Sequence, residues 1–202
     1  MNHDIEAYRR VTDESLVESV KSGDDAAFRE LMGRYMDQIY NFVRQYARAE
    51  EDAEDIAQDA FFKAWKHIKR FTTGKAWKPW LFAIARNTAL DHLKKKRAMA
   101  FSELDDAEND LAFADTLADT EPLPSEAFER SQSAEMVEKA MSVLHPDHRT
   151  VLVMHYHHEM TFDEIAGVMG KPMNTVKSWH RRALGKLRGR LLASAGGPHH
   201  ER

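Results

Sequence analysis

An all-α protein of two small helical domains joined by an acidic linker is what this sequence predicts, and three observations carry the expectation. Apolar residues recur at i, i+3, i+4 and i+7 along most of the chain, while no stretch alternates apolar and polar residues over several positions. Between residues 98 and 130 that periodicity fades, and Asp, Glu and the prolines Pro122 and Pro124 accumulate. The 202 residues, 43% of them hydrophobic, are enough for a core in each of two small domains.

The first domain is expected over residues 1–97. Leu16, Val17 and Val20 begin an apolar stripe, Ser22, Gly23 and Asp24 form a break and cap, and Ala27, Phe28, Leu31, Tyr35, Ile39, Tyr40, Phe42, Val43 and Tyr46 carry a long helix or two. Ala53, Ile56, Ala57, Ala60, Phe61, Ala64, Trp65 and Ile68 form the next buried stripe. That leaves Asp52, Asp55, Asp59 and Phe62 on the other side. A phenylalanine on an acidic face reads equally as part of a docking surface and as a partly buried residue on a solvated face.

Arg70 to Trp80, RFTTGKAWKPW, is expected to be a loop, with Gly74 and Pro79 as breakers and aromatics interleaved among bases. The composition suits single-stranded nucleic acid, whose bases stack on aromatic faces while cations follow the backbone. Trp80, Leu81, Ile84 and Ala85 then open a helix as core residues. Asn87, between Arg86 and the basic run Lys94 to Arg97, offers either an amide for a base edge or an internally bonded side chain.

After the linker, in which Leu104, Leu111, Phe113 and Leu117 still offer packing points, a second domain is expected over residues 131–194. Met136, Val137, Ala140, Val143 and Leu144 read as one amphipathic helix, His145 and Pro146 as a turn, and Val151, Leu152 and Met154 as another helix. A helix-turn-helix completes a four-helix unit. Thr161 followed by Glu164 is a capping box, Gly170, Lys171 and Pro172 supply the turn, and from Lys171 to Arg190 there are seven Lys or Arg residues and no acid. Lys177, Ser178, Arg181 and Arg182 share a face suited to a DNA major groove. The tail, residues 195–202, is expected to be disordered.

Net charge is −4, but its distribution matters more. Residues 1–97 hold 18 bases and 16 acids, residues 98–135 one base and 11 acids, and residues 136–202 ten bases and six acids. Such a chain lacks the overall cationic charge on which a free duplex binder relies. No cysteine is present, which excludes disulfides, thiolate metal sites and cysteine nucleophiles. No apolar run resembles a signal peptide or a membrane span, so the expected location is the cytoplasm. His155, His157, His158 and His180 lack zinc-site spacing, and phosphate-loop, dinucleotide, zincin and nucleophile-elbow motifs are missing. No metal, cofactor or catalytic residue is therefore expected.

DAEDIAQDAFFKAW at Asp52 to Trp65, WLFAIARNTALDHL at Trp80 to Leu93, and TFDEIAGVMGKPMNTVKSWHRRAL at Thr161 to Leu184 together resemble the extracytoplasmic-function sigma factors. The similarity spans roughly residues 13–192 and keeps the family's order and spacing. It implies a transcription initiation factor whose partners are core RNA polymerase, through the β′ clamp helices and the β flap, promoter DNA, and an anti-sigma factor. Polymerase docking falls on Asp52, Asp55, Gln58, Asp59 and Phe62. Capture of a flipped minus-10 base falls on Arg70, Phe71, Thr72, Lys75, Trp77, Arg86 and Asn87, and minus-35 reading on Thr175, Lys177, Ser178, Arg181 and Arg182. Trp179 and His180 depart from the family pattern, which usually places an arginine and an apolar residue there. A stand-alone helix-turn-helix repressor or activator is the alternative, and an enzyme or metal sensor using the histidines is a third.

Overall fold

The computed structural model describes residues 8, 10–47, 49–103 and 136–195. Among these every regular element is helical, and they form two compact units. Ala195, the first residue of the expected tail, ends the last helix; residues 196–202 and most of the expected linker lie outside the described residues.

In the first unit, α1 (Asp13–Lys21) begins at Thr12, whose hydroxyl accepts from the Ser15 N–H at 3.3 Å. Asp24 caps α2 (Asp25–Arg44) by accepting from the Ala26 and Ala27 N–H groups, at the expected break. Helix α3 (Glu50–His67) has no capping side chain but carries Glu50, Glu51 and Asp52 in its first turn, where carboxylates favour the helix dipole. A tight 3₁₀ turn, Ile68–Arg70, ends it. Helix α4 (Trp77–Glu103) closes the unit.

Helix α3 packs on both α2 and α4. Leu16, Leu31, Ile39, Phe42, Ile56, Phe61, Leu81 and Phe82 are buried between the helices, and the Phe42 ring meets Phe82 at 5.0 Å and Tyr46 at 5.7 Å. Each such side chain contributes about 1.5–3 kcal/mol on leaving water. Arg34 ties the entry to α1 onto α2, donating to Asp13 at 2.8 Å, Glu30 at 2.9 Å and the Val11 carbonyl at 2.8 Å.

The second unit holds α5 (residues 136–142), α6 (Pro146–Leu152), α7 (Phe162–Met169) and α8 (Met173–Ala195). Pro146 opens α6, where its missing N–H has no partner to lose, and the His145 side chain caps the Asp147 N–H at 3.3 Å. The chain continues from α6 into a wide turn, Val153–His157, closed by the His158 N–H on the Val153 carbonyl at 3.2 Å. Leu144, Leu152 and Ala183 form a buried cluster joined by Met141 and Leu187, which packs α6 on α8.

Three expectations need correction. Helix α4 starts at Trp77 rather than Trp80, because Pro79 fits a first turn that asks no hydrogen bond of it, and it runs to Glu103, beyond the expected domain end at residue 97. Trp65 is 49% exposed, since Ala64 and Ile68 carry the buried stripe past it. Met136, Val137 and Val143 are exposed as well, because only the Ala140 and Leu144 side of that segment is buried.

Candidate nucleic-acid interfaces and docking face

The helix-turn-helix is closed at both joints by its own sequence. Thr161 N–H donates to the Glu164 carboxylate at 2.8 Å, and Glu164 N–H donates back to the Thr161 hydroxyl at 3.3 Å, which is the reciprocal pairing of a capping box. Gly170 takes φ +60°, a left-handed conformation that favours glycine, and lets the Lys171 N–H reach the Ala166 carbonyl at 3.1 Å in a Schellman closure. The Pro172 carbonyl then accepts from Thr175 and Val176, starting α8. Val176 and Ala183 face inward, while Lys177, Arg181 and Arg182 are exposed and Thr175 and Ser178 are half-buried at the rim. The five predicted minus-35 residues thus lie on one helix, with its cations turned to solvent.

Trp179 and His180 are engaged within the protein. The Trp179 ring lies 6.0 Å from that of His148. His180 hydrogen-bonds the Tyr156 hydroxyl at 3.1 Å and packs its ring against His155 at 5.2 Å and Phe162 at 5.1 Å, while His155 stacks on Phe162 at 4.6 Å. Lys177 Nζ lies over the Phe162 ring, 6.0 Å from its centre. His180 thus sits in an aromatic joint between the Val153–His157 turn, α7 and α8, where the resemblance leads to an apolar residue being expected. Among the described residues no three His, Asp or Glu side chains gather as metal ligands.

Burial, and then the neighbouring charge of His155, push the His180 pKa below the ordinary imidazole value of 6.5. Burial likewise lowers His148, helped by His145 and the cations Lys186 and Arg182. The unfolded chain therefore binds more protons than the folded one below about pH 6.5, so stability is full above that value and falls as pH drops through it. The unfolding midpoint of the second unit is expected to decline between pH 7 and pH 5, and His180→Phe should flatten the slope. A midpoint independent of pH in both proteins would contradict this.

The loop of Arg70 to Trp80 divides into an exposed tip and an aromatic floor. Arg70, Thr72 and Lys75 are exposed, with Gly74 at φ +87° turning the tip and the Lys75 N–H on the Thr72 carbonyl at 3.3 Å. Phe71 and Trp77 are only 4% and 1% exposed. Their rings meet edge-on at 5.7 Å, and Trp80 packs on Trp77 at 4.9 Å and on Phe71 at 5.3 Å. Phe71 and Trp77, expected among the base-capturing residues, here bury their surfaces in contacts that hold the loop to α4. Asn87 is exposed and Arg86 half-buried on the next turns of that helix.

On α3, Asp55, Gln58 and Asp59 are exposed around Phe62, itself 60% exposed. Trp65 lies beside Phe62, ring to ring at 6.3 Å, so the face carries two aromatics rather than one. The i, i+3 spacing of the two was readable from the chain. Asp52 departs from the expectation of a solvated docking acid. Both its oxygens accept from Lys96 at 2.6 Å, and His92 approaches one of them at 3.6 Å, so it clasps α3 to α4.

Comparison with known proteins agrees with this arrangement. Residues 31–99 match Sigma-70 region 2 and residues 140–189 match Sigma-70 region 4. The helical units and their exposed faces thus define a protein of the sigma-70 class. The chain is 30% identical to the ECF RNA polymerase sigma factor SigW of Bacillus subtilis, covering 87% of this chain and 94% of that one. It is 32% identical to the RNA polymerase sigma-H factor of Pseudomonas aeruginosa, covering 82% and 86%. The chain belongs to the ECF RNA polymerase sigma factors, and it is a transcription initiation factor that recognises promoters. Among solved structures, CnrH in complex with the cytosolic domain of CnrY resembles it with a TM-score of 0.62 at 25% identity, covering 90% of this chain and 97% of that one. No helix among the described residues is long and apolar enough to cross a membrane.

Proposed function

We propose that this factor grips core RNA polymerase through Asp55, Gln58, Asp59 and Phe62, reads minus-35 duplex with Thr175, Lys177, Ser178, Arg181 and Arg182, and holds melted minus-10 DNA at Arg70, Thr72, Lys75, Arg86 and Asn87. It works in the cytoplasm, adds no catalytic step of its own, and leaves covalent chemistry to the polymerase. Residues 98–130, rich in acid, join the two promoter-contacting segments along the sequence. An anti-sigma factor holds it inactive, a reading supported by the likeness to CnrH, which is bound by the cytosolic domain of CnrY.

The observation that carries the proposal is Phe62, an exposed aromatic amid carboxylates, which a stand-alone helix-turn-helix regulator does not need. Transcription in vitro with core polymerase on a genomic fragment library tests it: new start sites should appear only when this protein is added. Failure to form a complex with core, together with tight duplex binding by the factor alone, would establish the repressor or activator reading instead. Phe62→Ala is expected to weaken core binding by about 1–2 kcal/mol, the loss of a central interface aromatic, without lowering the melting temperature. Equal affinity of variant and wild type in a core titration would remove Phe62 from the docking face.

A further inference from the structure

The exposed tip of the single-strand loop has little to hold it from within. Beyond the Lys75 to Thr72 turn, its fixed points are the buried rings of Phe71 and Trp77 at either end. Nor does it pack closely on α1: a cleft of about 310 Å³ lies between them, lined by Glu14, Ser15, Glu18, Phe71, Thr73 and Gly74. Across the rim of that cleft three side chains close a hydrogen-bonded ring. The Thr73 hydroxyl donates to Glu18 Oε1 at 2.8 Å, Lys21 Nζ donates to the same oxygen at 2.9 Å, and Lys21 also donates to the Thr73 hydroxyl at 3.2 Å. Lys21 further lies 5.6 Å from the centre of the Phe71 ring.

We infer that Glu18 and Lys21 are positioning residues that brace the loop through Thr73, holding its tip ready for single-stranded DNA. The inference rests on the minus-10 role proposed above for this loop. Thr73 both donates and accepts, and the carboxylate bonds two donors, so the ring is complete only with all three members present. Those bonds, Lys21 first and Thr73 second, also hold the Glu18 carboxyl below its ordinary pKa. Because the ring is exposed, it contributes little to global stability. Its effect is to restrict the tip before DNA arrives, so that binding does not bear the ordering cost. Neither Glu18 nor Lys21 belongs to the aromatic and basic pattern of the loop, with Glu18 and Thr73 55 residues apart in sequence.

The test uses holoenzyme on a promoter fragment taken from the transcription library, with permanganate reactivity of minus-10 thymines for opening and a footprint for minus-35 occupancy. Thr73→Val and Glu18→Ala should each slow opening about three- to tenfold, the cost of ordering one or two side chains, with an unchanged footprint. Thr73→Ser should open like wild type, and the Glu18→Ala, Thr73→Val double variant no more slowly than either single one. Wild-type rates in the single variants, or losses that multiply in the double variant, would overturn the brace. A wild-type holoenzyme that protects minus-35 DNA but melts nothing would overturn the role of the loop itself, and the brace with it.

Discussion

Trp77→Ala is expected to destabilise the N-terminal unit by about 3–5 kcal/mol, the range for removing a fully buried large aromatic. The indole is 1% exposed and touches the rings of both Phe71 and Trp80, so its removal leaves a cavity where the loop joins α4. Backbone collapse is limited there, because Trp77 opens a helix whose next residues, Leu81 and Phe82, are themselves buried. The substitution should lower the denaturant midpoint of this unit at unchanged slope, followed by the fluorescence of Trp65 and Trp80 in a Trp179→Phe background. Trp77→Phe is expected to recover most of the loss, since it keeps a ring and deletes an indole N–H with no hydrogen-bond acceptor among the described residues. A loss below about 1 kcal/mol for the alanine variant would mean that the floor is not part of the core. With the loop in its proposed minus-10 role, Phe71 and Trp77 lie beneath Arg70, Thr72 and Lys75 as its floor.

That distinction marks where sequence reading stops. The capping box at Thr161 and Glu164 and the break at Asp24 are local devices, each completed within a few residues, and both are found where the chain predicts them. The exposure of Phe62 follows from helical periodicity alone. The burial of Phe71 and Trp77 is not legible in the chain, because an aromatic among bases has one composition whether it stacks on a nucleotide or on another aromatic. Only tertiary neighbours decide between the two. The same holds for Asp52, whose partner Lys96 comes from a different helix, and for Glu18 with Thr73, where no periodicity links the pair. The exposure of Trp65 is not legible either: the helix buries the adjacent pairs Ile56 and Ala57, and Ala60 and Phe61, and periodicity extends that pattern to Ala64 and Trp65, whereas the packing covers Ala64 and not Trp65.

Arg181→Ala should weaken recognition of the minus-35 element by about 1–3 kcal/mol, the range for one bidentate contact between arginine and a base pair. Arg181 is exposed on the face shared by Lys177 and Arg182, with Ala183 directed inward, so the change leaves the fold of α8 intact. The assay must be made on holoenzyme, because a chain of net charge −4 draws little affinity from phosphates alone. Competition among minus-35 variants separates the possible roles. A base reader loses discrimination at one or two positions while the salt dependence barely changes; a phosphate contact weakens every sequence alike and reduces the salt slope by about one. Lys186→Ala, an exposed cation farther along the same helix and outside the five predicted base readers, is the comparison for a loss of charge alone. If Arg181→Ala behaves as Lys186→Ala does, specificity falls to the remaining members of that face. Trp179 and His180 are poor candidates to replace it, because His148 and Tyr156 already occupy them from within the unit.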